Sequence, residues 1–301
     1  MRAGLEPAVT GATVESVTVY DERSLRRHAG PSEDFIDRLT GRRMLAPERR
    51  GKFMWIPLVP TRTAGTSLRD APEPASVGPG GAEAVVLHLG MSGQVLLRDR
   101  STDDLRTRIR VELSHPEHGS LRLNFVDQRI FGSMAIDTLV QTADHPLQLV
   151  PTAVAHIARD PLDERFDERA FLQRLSKKNT TIKRALLDQT LISGIGNIYA
   201  DESLWAAKIH YDQPTATLSR RRAVTLLAEV RAVLTKALAE GGTSFDAQYL
   251  NVNGQSGYFA HSLNAYGQQG EPCPRCGRPI IRESFMNRGS HFCQWCQRIV
   301  R

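Results

Sequence analysis

The chain has 301 residues, which is enough for two or three domains and at least one full-sized hydrophobic core. Lys and Arg number 39 against 33 Asp and Glu, a balance compatible with a polyanionic partner such as nucleic acid. The first residues lack an apolar signal segment, and the longest apolar runs, such as AVVLHLG, are only strand-length. These features exclude a secretory leader and a membrane span, so we expect a soluble, cytoplasmic protein.

The first part of the chain, residues 1–138, shows the alternation of a β-sheet. Apolar residues recur at every second position in short runs broken by Gly, Pro and Asp, as at Val17 and Val19, Phe53 and Trp55, Ile109, Val111 and Leu113, and Leu121, Leu123 and Phe125. This pattern predicts antiparallel strands packed as a sandwich or barrel. The Pro- and Gly-rich stretch around residues 60–83 predicts a loop between two strands. Its role stays open.

Residues 139–166 read as a linker with short turns, and a helical period follows over residues 167–262. Asp167 is expected to cap a helix, a second helix carries Ile182 and Leu186, and a third begins near Asn197. A long fourth helix is marked by Val224, Leu227, Val230, Leu234 and Leu238. The sequence therefore predicts a multidomain α+β protein with a helical middle domain.

The last segment, residues 263–301, contains all four cysteines of the chain: Cys273, Cys276, Cys293 and Cys296. Two C-x2-C pairs can complete a tetrahedral shell of four thiolates, which predicts one structural zinc ion on a hairpin, and the reducing cytoplasm that suits it. Two disulfides or unused thiols are the alternative. The expected hairpin loop is MNRGS, with Arg288 near its tip, and the surrounding arginines form either a solvated face or a phosphate-seeking one.

The turn Ser193–Gly196 precedes the helix that begins near Asn197. Small residues before a helix N-terminus leave backbone N–H groups pointing outward, which creates an anion site. Three lysines lie upstream and could contact the same nucleic-acid strand as this anion site: Lys177, Lys178 and Lys183. Most turns of this kind are only turns, however.

LISGIGNIYADESL resembles the helix-two-turns-helix motif of the formamidopyrimidine-DNA glycosylase family, bacterial repair enzymes that excise oxidised purines. The resemblance extends in order to RRGKFMW, HLGMSGQ, DQRIFG, NGQSGYF and the closing finger with MNRGSHFC. It implies an N-terminal antiparallel β-sandwich, a helix-two-turns-helix domain and a C-terminal four-cysteine zinc-finger hairpin. It also implies a monomer that binds double-stranded DNA containing oxidised bases or abasic sites, close to the nucleoid and without a membrane partner.

The same resemblance implies roles for residues in the first part of the chain. Met91, Arg129 and Phe131 match the wedge that fills the duplex after the damaged nucleotide is extruded. Without the resemblance, Met91 and Phe131 would be interpreted as ordinary core residues. Lys52 matches a lysine placed on the DNA backbone and linked to strand cleavage. Arg106 is expected to bind DNA, since it and Arg108 fall where relatives often carry histidine, which keeps the basic character.

Further roles fall in the helical and C-terminal parts. Asn197, Lys178 and Lys183 match phosphate contacts, and Tyr199 and Glu202 match the helix that lines the lesion site. Arg288 matches the finger arginine that contacts phosphate and assists the final elimination, so Lys52, Arg288 and Glu202 are the expected catalytic residues. Gln255 and Tyr258 lie in NGQSGYF, which resembles the loop that covers the flipped purine; some relatives carry a basic residue at the position of Gln255.

One departure concerns the nucleophile. Relatives begin with Pro-Glu-Leu-Pro-Glu ahead of the segment RAGLEP, and the secondary amine of that proline attacks the sugar C1′. This sequence begins MRAGLEP. We therefore expect either a glycosylase and lyase whose gene start is called too late, or a non-catalytic binder of damaged DNA. A glycosylase of the sister branch, specific for oxidised pyrimidines, is a third hypothesis, and the lesion and opposite-base preferences stay open.

Overall fold

The computed structural model describes residues 2–61, 81–90, 93–240 and 262–300. These residues divide into two compact units, with the boundary between His156 and Ile157. No helix in the described ranges is long and apolar enough to cross a membrane.

The first unit is an antiparallel sheet with two helices. Its elements are α1 (Arg2–Val9), β1 (Thr13–Val19), α2 (Ser32–Leu39), β2 (Arg42–Met44), β3 (Glu48–Arg50), β4 (Phe53–Pro60), β5 (Glu83–His88), β6 (Gly93–Arg98), β7 (Thr107–His115), β8 (Gly119–Asp127), β9 (Ser133–Thr142) and β10 (His145–Pro151). The strand order is β10-β9-β5-β4-β2-β1-β7-β8-β6, and β3 pairs with β4. Side chains of β4, β5 and β9 share one core with those of β1, β7 and β8, and with Leu5 and Phe35 of the helices. The predicted sandwich is confirmed.

The alternation is clearest in β7, where Ile109, Val111 and Leu113 are fully buried and Arg110 lies between them at the surface of the core. The sequence analysis missed α1 and α2. The assignment of residues 139–166 to a linker was wrong in its first half, because these residues include the end of β9 and all of β10. A register shift between His145 and Leu149 interrupts the alternation in β10, which hides the strand from a period-two search.

The second unit consists of helices and one hairpin. Its elements are α3 (Glu168–Ser176), α4 (Ile182–Leu187), α5 (Asn197–Ala206), α6 (Arg220–Ala239), β11 (Ile281–Phe285) and β12 (Arg288–Phe292). The predicted cap is confirmed, since the Asp167 carboxylate accepts a hydrogen bond from the Ala170 N–H at 2.9 Å. Phe285 and Phe292 of the hairpin belong to the same hydrophobic cluster as the helices. The hairpin is therefore docked on the helical core.

Helix α6 is the predicted long helix, but its buried face is shifted from the expected one. Val224 and Leu238 are 39% and 66% exposed, whereas Ala223 and Ala237 are buried beside Leu227. Small alanines complete the apolar face, and a search for large aliphatic residues alone does not detect them.

Candidate nucleic-acid interface and metal centre

Phe131 projects from a tight loop at the end of β8, and 42% of it is exposed. We call residues 127–132 the Phe131 loop. The buried Asp127 carboxylate accepts hydrogen bonds from the backbone N–H groups of Arg129, at 3.1 Å, and Gly132, at 2.7 Å. Arg26 donates from its two terminal nitrogens to the carbonyl oxygens of Ile130, at 2.9 Å, and Phe131. The loop thus presents an exposed aromatic ring beside the exposed Arg129 side chain.

The end of β5, with Gly90 shortly after it, packs tightly against the Phe131 loop. A Cβ atom on Gly90, whose φ is +61°, would lie 2.6 Å from the Phe131 carbonyl carbon. A Cβ on Gly132 would lie 2.8 Å from the His88 carbonyl oxygen. Only glycine permits this approach at either position. Met91, the other predicted wedge residue, follows Gly90 and lies outside the described residues.

Lys52 occupies the turn between β3 and β4, where its side chain is exposed. The neighbouring Phe53 pairs with His88 across the sheet, and their rings are 4.7 Å apart. Burial, together with the charges of Arg27, Lys52 and Arg26, lowers the pKa of His88 to about 4. This part of the sandwich therefore combines three cations with an imidazole that is neutral at pH 7.

Arg106 and Arg108 differ in their surroundings. Arg106 has an exposed side chain and a left-handed backbone, with φ of 67°, and its carbonyl accepts from the Asp127 N–H. Arg108 donates to the Asp127 carbonyl at 2.8 Å and pairs with Asp21 at 3.4 Å. Arg106 thus keeps an exposed cationic side chain, whereas the Arg108 side chain is engaged with Asp127 and Asp21.

In the second unit, the turn before α5 is braced by Gln189. Its side-chain oxygen accepts from the Gly194 N–H at 3.2 Å, and its amide donates to the Ile195 carbonyl at 3.0 Å. Helix α5 then begins at Asn197, whose side-chain amide donates to the Gly289 carbonyl of the hairpin at 3.0 Å. Asn197 is 9% exposed, and Tyr199, two residues further along α5, is half-buried. The first turn of α5 and the hairpin backbone therefore meet at Asn197.

Lys183 contradicts the expectation that it contacts phosphate. Its side chain is fully buried, and its ammonium lies 2.6 Å from Asp201 and 2.6 Å from the Ser290 hydroxyl. The other carboxylate oxygen of Asp201 accepts a hydrogen bond from the backbone N–H of His291 at 3.0 Å. Burial lowers the pKa of Lys183, Asp201 opposes that shift and the charge of Arg288 adds to it. Lys183 is a buried link between α4, α5 and β12, because a charge enclosed in this way is satisfied internally.

Glu202 is also placed differently from the expectation. The sequence analysis assigned it to the catalytic set, but the carboxylate is 3% exposed and accepts the backbone N–H groups of Asn264, Ala265 and Tyr266 at 2.8–2.9 Å. A carboxylate with its oxygens so occupied is a structural anchor. In this arrangement Glu202 fixes the chain where it enters the C-terminal finger.

Lys178 is partly exposed and pairs with Asp188 at 2.5 Å. Burial raises the pKa of Asp188, but hydrogen bonds from Lys178 and Thr190 outweigh it and the pKa falls below its usual range. The Lys178 side chain remains 34% exposed while it is paired with Asp188.

The hairpin turn is shorter than predicted. Met286 and Asn287, with φ of 47° and 59°, form a two-residue turn, and Phe285 pairs with Arg288. Arg288 is therefore the first residue of β12, adjacent to the turn, and its side chain is exposed. Gly289 and Ser290, which follow it, are held by Asn197 and Lys183 as described above.

The four cysteines converge as predicted. Their Sγ atoms, those of Cys273, Cys276, Cys293 and Cys296, all lie within 4.8 Å of one another. Tetrahedral zinc–thiolate bonds of about 2.3 Å place sulfur atoms roughly 3.8 Å apart, so this cluster has the size of a closed metal shell. Burial raises the pKa of the Cys273 thiol, but the Trp205 indole N–H, at 3.4 Å, and nearby backbone N–H groups lower it to about 6. The site fits a structural metal ion.

Trp205 connects this cluster to α5. The Arg275 guanidinium lies over the indole ring, 4.2 Å from its centroid, and donates to the Trp205 carbonyl at 3.0 Å. The cation thus meets the C-terminal end of α5, where helix carbonyls favour positive charge. The sequence analysis missed this docking of Arg275, and it also missed His88 and Arg26. Gln255 and Tyr258 lie outside the described residues.

Three family models match the chain in order. The formamidopyrimidine-DNA glycosylase N-terminal domain matches residues 1–134, the formamidopyrimidine-DNA glycosylase H2TH domain matches residues 157–248, and the zinc finger found in FPG and IleRS matches residues 270–299. A formamidopyrimidine-DNA glycosylase of Leifsonia xyli is 59% identical over 307 residues, covering 99% of this chain and 97% of the relative.

Solved structures agree. The MutM (FPG) protein of Thermus thermophilus has a TM-score of 0.74 at 31% identity, covering 98% of this chain and 95% of that one. The Lactococcus lactis FPG in complex with DNA containing FAPY-dG has a TM-score of 0.75 at 27% identity, covering 98% and 96%.

Proposed function

Because this chain belongs to the formamidopyrimidine-DNA glycosylase family, we propose that it is a base-excision-repair DNA glycosylase with AP lyase activity. Its substrates are oxidised purines, 8-oxoguanine and formamidopyrimidines, in duplex DNA. The observation that carries this proposal is the match of three family models in order, together with a relative of 59% identity over nearly the whole chain. The similarity to a solved complex with FAPY-dG DNA supports the substrate class.

The Phe131 loop is proposed to fill the duplex when the damaged nucleotide leaves the stack. An extruded base costs a few kcal/mol and leaves a hole that an apolar side chain can occupy. An aromatic ring that stays 42% exposed is suited to that insertion, and the exposed Arg129 beside it can donate to the orphaned base. Met91 is proposed to join them.

Exposed cations of both units are proposed to bind the phosphate backbone. In the first unit these are Lys52 and Arg106, and in the second Arg288, which the partly exposed Lys178 is proposed to join. The planar guanidinium of Arg288 suits paired phosphate oxygens, and the N–H groups in the first turn of α5, with Asn197 at their start, suit a further phosphate. Tyr199, Gln255 and Tyr258 are proposed to contact the substrate nearer the lesion.

The four cysteines are proposed to hold one zinc ion, which serves structure. The ion stiffens the base of the finger, and contacts within the chain hold the remainder of the hairpin in place. Phe285 and Phe292 dock the hairpin on the helices, while Lys183 and Asn197 grip the backbone next to Arg288. These contacts hold one guanidinium at a fixed position for a backbone phosphate.

The chemistry requires an unprotonated amine at the sugar C1′. In the family the secondary amine of an N-terminal proline attacks C1′, and the glycosidic bond breaks with its electron pair leaving on the base. The sugar ring then opens at the C1′–O4′ bond, O4′ takes a proton, and C1′ and the proline nitrogen form a Schiff base. Elimination then cuts the strand. Lys52 and Arg288 are proposed to stabilise the phosphate that departs, since developing negative charge is favoured by fixed cations.

A base-release assay tests this function. The chain carrying Pro-Glu-Leu-Pro-Glu-Val-Glu-Thr-Val in place of Met1 is incubated with duplexes that contain one formamidopyrimidine, one 8-oxoguanine, one oxidised pyrimidine or no lesion, and free base is measured by mass spectrometry. We expect release from the two purine lesions. Tight binding without release would support a non-catalytic binder, and preferential release of the pyrimidine would support the sister branch.

A further inference from the structure

We propose that Arg26 is a positioning residue, which holds the Phe131 loop in the shape needed to insert its aromatic ring; this inference rests on the insertion role proposed above. Arg26 follows a 3₁₀ helix, Glu22–Leu25, whose start is capped by Asp21. Its two terminal nitrogens bond the carbonyl oxygens of Ile130 and Phe131, far along the chain. The side chain thus bonds the carbonyl oxygens of the two peptide groups that flank Phe131.

The loop has a conformation that it would not adopt unaided. Ile130 has φ of 55°, a left-handed value that costs a β-branched residue on the order of 1 kcal/mol or more. Such strain persists only where neighbouring contacts over-determine it. Here Asp127 holds two N–H groups of the loop from the inside, and Arg26 holds two carbonyls from the outside.

The consequence of this clamp is the exposure of Phe131. An aromatic side chain gains free energy when it is buried, so an unrestrained loop would let the ring collapse onto nearby apolar surface. With its backbone fixed at Asp127, Ile130 and Gly132, the ring remains 42% exposed. Pre-ordering the loop removes an entropic cost that insertion into DNA would otherwise include.

The geometry requires arginine. A guanidinium presents two terminal nitrogens in a fixed plane and can bond adjacent carbonyls at once, whereas lysine offers a single nitrogen. Two neighbouring arginines have other contacts. Arg27 lies over the Phe53 ring at 5.5 Å, and Arg23 pairs with its neighbour Asp21 at 2.8 Å with most of its side chain in solvent. Arg23 is therefore a matched control for loss of one surface charge.

The test is a double-mutant cycle between Arg26 and Phe131. Dissociation constants of Arg26→Lys, Arg26→Ala, Phe131→Ala and Arg26→Ala with Phe131→Ala are measured on an abasic-analogue duplex and an undamaged duplex. We expect Arg26→Lys and Phe131→Ala each to lower the preference for the lesion duplex by about fivefold, roughly the value of one lost hydrogen bond or ring contact. The double variant should be no worse than Phe131→Ala alone, and Arg23→Ala should behave as the parent.

Two outcomes would overturn the inference. If Arg26→Ala weakened both duplexes equally and reduced the salt dependence, also in the Phe131→Ala background, Arg26 would be a phosphate contact. If Arg26→Lys kept the full lesion preference, one nitrogen would suffice and the clamp would be unnecessary. If the base-release assay above showed no release while the double-mutant cycle gave the expected result, the proposed activity would be contradicted. The role of Arg26 in holding the Phe131 loop would still stand.

Discussion

The ammonium of Lys183 lies 2.6 Å from a carboxylate oxygen of Asp201, and neither side chain reaches solvent. The pair ties α4 to α5, and through Ser290 and His291 it ties both helices to β12. Arg288, the first residue of that strand, is exposed. A buried ion pair therefore fixes the strand that carries an exposed cation.

Lys183→Met should destabilise the protein by about 3–5 kcal/mol, because it leaves the Asp201 carboxylate buried without its cation. Urea denaturation measures the change. Lys183→Met with Asp201→Leu removes both charges and should recover most of the loss. A variant Lys183→Met that kept its stability but lost salt-dependent DNA binding would return Lys183 to the phosphate contacts.

Arg288→Ala should weaken DNA binding and leave the stability of the protein almost unchanged. The side chain is exposed, so we expect little change in unfolding free energy. The slope of log affinity against log salt should fall in magnitude by about one unit on lesion and undamaged duplexes alike, as expected for one lost phosphate contact. An unchanged slope would show that Arg288 does not meet the backbone.

Cys293→Ser should lower metal content and DNA affinity together. The serine hydroxyl is a poor zinc ligand at neutral pH, and without the metal the base of the hairpin loses its clamp. We expect at least about a tenfold loss of affinity, corresponding to a charge-assisted contact. Parent protein stripped with a chelator and then reloaded with zinc is the control. If a metal-free variant kept full DNA affinity, the metal would not be needed to hold the hairpin for binding.

The pH dependence of stability should carry the signature of His88. Its pKa falls from 6.5 to about 4 on folding, so its contribution is complete above pH 6.5 and is lost as the pH drops toward 4. His88→Gln, which stays neutral, should flatten urea stability between these values by on the order of 1–2 kcal/mol, allowing for partial solvent screening. Identical profiles for the two proteins would mean that His88 titrates normally.

Local patterns predicted the parts of the molecule that are locally determined. The cysteine pairs, the Asp167 cap and the alternation in β7 each depend on residues a few positions apart. Lys183 and Glu202 were misassigned because their surroundings are not local. The carboxylate of Glu202 is captured by the backbone of residues 264–266, and the ammonium of Lys183 by β12, so a lysine or glutamate that resembles a surface residue in sequence is enclosed by tertiary contacts.

The Phe131 loop shows the same limit from the other side. The motif DQRIFG identified the ring, yet nothing in the sequence near it indicates that Arg26 bonds its carbonyls. The resemblance named a residue, and the structure adds the contacts that hold it.

Borohydride trapping tests the central claim most directly. A Schiff base between protein and sugar is reduced to a stable covalent complex, and mass spectrometry identifies the amine that attacked C1′. With the proline-led chain and an 8-oxoguanine duplex, we predict a covalent complex at the N-terminal proline together with strand cleavage. The matched control begins at Met1 and should trap little. Absence of a trapped complex from the proline-led chain, or a complex formed equally well by the control through Lys52, would contradict the proposed mechanism.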